Sequence, residues 1–193
     1  MDVNKNSYIF GFSAVLVIVV AAVLSFAAES LKPMQTENVR IEKMQNILTS
    51  VGILATPAEA GELFDQYIID QKLLSNKGTV VDKDGLTAFD IDAVKQYKDK
   101  NLSPEEKFYP LFTFQNKEGK KYIVPMAGKG LWGPIWGYVA FAEDMNTIVG
   151  STFDHKSETP GLGAEIKEDF FTQKFIGKTT VSYTHLTLPT TPY

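Results

Sequence analysis

The chain reads as an α+β protein, with one N-terminal transmembrane helix followed by a domain of mostly antiparallel sheet and flanking helices. Three observations predict this. Tyr8 to Ala28 is a run without a charged side chain. At ~1.5 Å rise per residue it spans about 30 Å, the thickness of a hydrocarbon core. After it, short apolar segments are punctuated by Asn, Asp, Gly and Pro clusters, as strands joined by turns are. Windows of helical periodicity flank these strands rather than alternating regularly with them, which favours α+β architecture.

The elements follow in order. Within the apolar run the hydroxyls beyond Tyr8 belong to Ser13 and Ser25, which can bond back to helix carbonyls. A cleaved signal peptide is the alternative, with Ser25-Phe26-Ala27 as a weak small-x-small site, but the run is long for such a segment. Gln35 to Ile53 continues as helix, because Ile41, Met44, Leu48 and Val51 recur at three- and four-residue steps. Thr56-Pro57-Ala58-Glu59 is a helix start in which Thr56 caps, Pro57 suits the first turn and Glu59 completes a capping box. That helix is expected to run to about Leu74, with Leu63, Tyr67 and Leu74 facing inward. Thr79-Val80-Val81 is a short strand. Asp82-Lys83-Asp84-Gly85 reads as a solvated turn, since it is too short for a calcium loop and lacks the terminal Glu. Ile91 to Asp99 is a short polar helix. Phe108 to Gln115 and Lys121 to Met126 are strands joined by the hairpin turn Asn116-Lys117-Glu118-Gly119. Tyr138 to Ala142 and Asn146 to Thr152 are further strands, and Asp169 to Ile176 is helical.

Composition excludes several functions. The 193 residues carry a net charge of -4 and no basic stripe, which gives nucleic-acid binding no footing. There is no cysteine, hence no disulfide, iron–sulfur cluster or thiol nucleophile. The two histidines, His155 and His185, lie far apart in sequence, so a histidine-rich metal site is not expected. Walker-type and Gly-x-Ser-x-Gly motifs are absent.

Two glycine-rich stretches carry the functional reading. The first is Gly128-Lys129-Gly130-Leu131-Trp132-Gly133-Pro134-Ile135-Trp136-Gly137. The second is Asp154-His155-Lys156-Ser157-Glu158-Thr159-Pro160-Gly161-Leu162-Gly163. Each reads as a loop between strands, and ordinary turns are the plain reading. Glycines also let backbone N–H groups approach a ligand, and Trp132 and Trp136 add flat apolar surface. Two such loops meeting would form a slot for a planar, anionic ligand.

In this order, the two stretches resemble the FMN-binding C subunit of the bacterial Na+-translocating NADH:quinone reductase. The G subunit of the Rnf electron-transport complex is similar, and a non-redox membrane-tethered scaffold is the alternative from another class. Gln35-Thr36-Glu37-Asn38 and Gln45-Asn46-Ile47-Leu48 also resemble that family's post-membrane linker. The resemblance covers roughly residues 8 to 178. It implies FMN as cofactor, with Gly130, Leu131 and Trp132 bordering the isoalloxazine and Glu158, Thr159, Gly161 and Leu162 on its other side. Lys129 would offset phosphate charge. It implies no catalytic acid or base and no metal. The partners implied are the other polypeptides of the reductase and the membrane, in an electron-transport and sodium-transport complex. On charge alone, Lys32, Arg40 and Lys43 after the helix lean towards a cytoplasmic domain. The resemblance implies the opposite, a single pass through the bacterial inner membrane with the soluble domain on the periplasmic side, and that is the expectation adopted.

The family's FMN is covalently attached to a threonine in a Ser-Gly-Ala-Thr-type motif, and that threonine motif is absent here. Thr179 to Tyr193 carries no charged side chain and is rich in Thr and Pro. Val181 to Thr190 resembles translated sequencing-adapter read-through. The expectation is therefore a membrane anchor over 1–30, a linker helix over 31–55, an incomplete FMN-binding domain over 56–180 and a non-native tail over 181–193.

Overall fold

The computed structural model describes residues 6–83 and 85–180. Asp84, in the turn expected at 82–85, and the tail expected at 181–193 lie outside the described residues. The chain divides into two units at Lys43/Met44.

Helix α1 runs from Asn6 to Thr49 as one element, joining the two helices expected from sequence. It is long and apolar enough to cross a membrane, with a mean hydropathy of 2.7 over its most apolar window. In its first unit Phe10, Val17, Ile18 and Phe26 are exposed. Such a surface is stable in hydrocarbon and unfavourable in water.

The last turns of α1, from Met44, belong to the second unit. Met44 and Leu48, two of the residues that the three- and four-residue spacing marks, are buried there together with Ile47, while Val51 is half-buried. Thr56 then turns the chain. Its hydroxyl donates to Glu59 Oε2 at 2.6 Å, and its carbonyl accepts from Glu59 N and Ala60 N. Helix α2 (Ala60–Tyr67) follows and gives way directly to strand β1 (Ile68–Leu74). The expected helix to Leu74 is therefore corrected. Ile68 and Ile69 are β-branched and disfavour continuing the helix. From Ile68 the backbone pairs antiparallel with strand β3 (Tyr109–Asn116) instead. Ile68 and Leu73 are the buried residues of β1, so the inward position is Leu73 and not Leu74.

Strands β2 (Val80–Val81), β4 (Gly119–Lys129), β5 (Pro134–Phe141) and β6 (Ile148–His155) complete a six-stranded sheet. Its order is β2-β1-β3-β4-β5-β6, and every pairing is antiparallel. Helix α3 (Ala93–Lys98) precedes β3 and is capped by Asp92, which accepts from Lys95 N. The aromatic core sits on β3, where Phe64 meets Phe112 edge-on at 6.3 Å and Tyr67 stacks on Phe114 at 5.6 Å.

Strand β6 begins two residues later than expected, because Asp144 accepts from Asn146 N and Thr147 N and holds those residues in the β5–β6 turn. On its outer side Ile148 N donates to Lys178 O and Gly177 N to Ile148 O. The expected helix 169–176 is α4 (Asp169–Thr172) followed by a 3-10 turn at Gln173–Phe175. Phe171 and Phe175 close over Phe153 of β6 at 5.8 and 5.2 Å.

Candidate functional site

The two glycine-rich stretches flank strands β4, β5 and β6, and the ladder trims both. Gly128 and Lys129 finish β4, while Pro134 to Gly137 begin β5. The first loop is therefore only Gly130 to Gly133, closed by a bond from Gly130 N to Gly133 O at 2.7 Å. Asp154 and His155 still pair with Trp136 and Ile135, so the second loop starts at Lys156. Antiparallel pairing of β5 with both neighbours brings the loops to one end of the sheet.

Glu158 joins them. It is 8% exposed, and its Oε1 accepts from Trp132 N at 2.9 Å and Gly133 N at 3.2 Å. Hydrogen bonds to a charged acceptor contribute about 1.5–3 kcal/mol each. Ser157 Oγ donates to Trp132 O at 3.0 Å, and Lys156 N donates to Pro134 O at 3.1 Å. The side chain of Glu158 fits because its neighbours are glycines. A Cβ on Gly130 would run into Oε1, and one on Gly163 would lie 2.7 Å from Oε2. Behind it, Glu158 N donates to His155 Nδ1 at 3.2 Å.

The rest of the second loop folds on itself. Thr159 O accepts from Leu162 N and Ala164 N. Gly161, at φ +76°, donates its N–H to Glu165 Oε1 at 2.8 Å. Leu131, Trp132 and Leu162 are left 81%, 67% and 74% exposed. These are three large apolar side chains next to the glycines that flank Glu158, where water is a poor neighbour for them.

A family model described as the FMN-binding domain matches residues 130–185, a stretch that starts at the first loop and includes the second. The C subunit of the Na+-translocating NADH-quinone reductase of Vibrio campbellii is 33% identical over 179 residues, covering 84% of this chain and 69% of the relative. The chain belongs to the family of this reductase's C subunit. Its counterpart from Neisseria meningitidis serogroup A is 31% identical over 186 residues, with 86% and 72% covered. The crystal structure of the counterpart from Parabacteroides distasonis superimposes with a TM-score of 0.68 at 37% identity, covering 77% of this chain and 70% of that one.

Within this fold, the expected residues Gly130, Leu131, Trp132, Glu158, Thr159, Gly161 and Leu162 all fall on the two clasped loops. Glu158 alone among them is buried. It points into the clasp, while Thr159, Gly161 and Leu162 are exposed. Lys129 and Lys156 are exposed beside the loops. The arrangement fits a flavin. Flat apolar surface stands out at the loop tips, and two cationic side chains, Lys129 and Lys156, are exposed on the residues flanking the first loop and opening the second. A separate cleft of about 290 Å³, lined in part by Asn46, Asp154, Lys167 and Thr172, contains none of the seven.

His155 and Ser157 also belong to the clasp, although the sequence does not single them out as site residues. The available signal is spacing. A histidine three residues before an acidic residue in a tight loop can accept that residue's own N–H, as Asx and Ser/Thr side chains do in local turns.

Proposed function

We propose that this chain is the electron-carrying flavoprotein component of a membrane Na+-translocating NADH:quinone reductase, and that its FMN sits on the clasped loops. The observation that supports this most is the joining of both loops by buried Glu158 within the matched FMN-binding stretch, with three apolar side chains turned outward beside it. When bound, FMN supplies the redox chemistry, and the protein supplies orientation and electrostatics. Leu131, Trp132 and Leu162 would cover the ring and exclude water. Gly130 and Gly161 would let backbone come close to its edge, with Thr159 beside them. Glu158 fixes the loops relative to each other by holding Trp132 N and Gly133 N. Lys129 would meet the phosphate. Electron passage needs no side chain here as general acid or base.

The remaining chemistry belongs to the complex. NADH oxidation and quinone reduction fall to partner subunits. Tyr8 to Ala28 holds no acidic or basic side chain, so this helix by itself offers sodium no path. It anchors the chain in the bacterial inner membrane, with the soluble unit on the periplasmic side. A reporter fused after the soluble unit tests that side, and activity confined to the cytoplasm would reverse it.

The test of function is flavin uptake by the detergent-solubilised chain. FMN should bind and give a flavin absorbance. A chain that takes up no FMN, alone or with its partner subunits, would overturn the proposal.

A further inference from the structure

The position of Glu158 depends on the residue three places before it. His155 ends β6, paired with Ile135, and its main-chain N–H donates to Asp154 Oδ1 at 2.7 Å. Its ring lies under the start of the second loop. Glu158 N donates to Nδ1 at 3.2 Å. Nε2 is buried and has no partner among the described residues.

We propose that His155 is a positioning residue for the flavin loops, held as a neutral imidazole with its proton on Nε2 and its Nδ1 lone pair accepting the Glu158 N–H. The inference rests on the function proposed above, since that reading gives the loops their cofactor. A nitrogen that accepts carries no proton, so the single proton of neutral imidazole is on Nε2. A second proton on Nδ1 would set one donor against another and end the bond to Glu158. Turning the ring over would replace Nδ1 with a carbon and lose the same bond. The loop therefore selects one tautomer in one orientation. The effect reaches the site in two steps. The ring fixes the backbone of Glu158, and the Glu158 carboxylate fixes Trp132 N and Gly133 N. The role assigned to His155 through these bonds is placement.

The test uses the full chain in detergent micelles, with FMN as the probe. Nitrogen-15 NMR of the imidazole in the wild type should show Nε2 protonated and Nδ1 bare at neutral pH. Asparagine places an acceptor oxygen at the same bond distance from the backbone as Nδ1, whereas leucine fills similar space without one. His155→Asn should bind FMN within about twofold of wild type, and His155→Leu about tenfold more weakly, the loss expected for one hydrogen bond. Exchange of the Glu158 amide should quicken in His155→Leu and stay slow in His155→Asn. A ring that is charged or protonated on Nδ1 overturns the inference. So does a leucine variant equal to wild type, or an asparagine variant as weak as the leucine one. If the wild type itself takes up no FMN, the functional reading fails, and the tautomer with the Glu158 amide exchange still decides the role of His155. Should His155→Leu not fold, the tautomer and the asparagine variant decide it.

Discussion

Replacing Glu158 with alanine removes the acceptor for two backbone N–H groups at once, those of Trp132 and Gly133 at 2.9 and 3.2 Å. In a buried setting each bond to a carboxylate contributes about 1.5–3 kcal/mol. The loops border solvent, so water replaces part of the loss, and the expected cost is about 2–4 kcal/mol, falling on the clasp. Phe112, Phe114 and Ile123 are fully buried elsewhere in the sheet, which leaves the core packing untouched. The expected result is local. Amide exchange at Trp132 and Gly133 should accelerate by about 30-fold or more, the factor that 2 kcal/mol gives in an equilibrium, while exchange in β3 and β4 stays as in wild type. Glu158→Gln keeps an acceptor oxygen and loses only the charge assistance, so its effect should lie between the two. Unchanged exchange at Trp132 and Gly133 in Glu158→Ala would refute the clasp, and uniform acceleration across the sheet would refute its being local.

Trp132→Ala and Leu162→Ala should separate function from stability. Both side chains are mostly exposed, so thermal unfolding should shift little, within about 0.5 kcal/mol, while FMN occupancy falls in a binding titration. Gly163→Ala should mimic the Glu158 variants, because its Cβ would lie 2.7 Å from Oε2 and 3.2 Å from the Cβ of Glu158. Crowding of this kind costs about 1–3 kcal/mol, readable as weakened FMN binding with the backbone fold intact by circular dichroism. Asp144 has its pKa lowered by the Thr147 hydroxyl, then by the backbone N–H groups of Thr147 and Asn146. A carboxyl whose folded pKa lies below its unfolded one stabilises above the ordinary carboxylate range and loses that contribution as pH falls through the folded value. Asp144→Ala should therefore unfold more easily at neutral pH, and its difference from wild type should shrink on acidification in denaturant titrations at several pH values.

The hairpin of β3 and β4 is legible in the sequence because its signal is local: a turn at Asn116–Gly119 between apolar runs. Strand β1 is hidden for the opposite reason. Leu63, Tyr67 and Leu74 suggest a helix continuing past Tyr67, and what stops it is pairing with β3, on a strand beginning at Tyr109. The glycine loops can be found from Gly, Pro and Trp, but their true limits are set by ladder partners across β5. The seven candidate residues can be named, yet the burial of Glu158 cannot be read. A carboxylate in a Pro/Gly-rich loop suggests solvent, and the N–H groups that make its burial tolerable come from Trp132 and Gly133, remote in sequence. His155 is readable in principle, since its partner Glu158 is three residues away.

The central claim is that FMN rests on the outward faces of Trp132 and Leu162, above loops clasped by Glu158. Intermolecular nuclear Overhauser effects between FMN ring protons and the side chains of the FMN-loaded chain test it most directly. Cross-peaks from the isoalloxazine to the Leu162 methyls and the Trp132 indole are expected. Cross-peaks instead to Thr172 and Lys167, on the separate cleft, would contradict it.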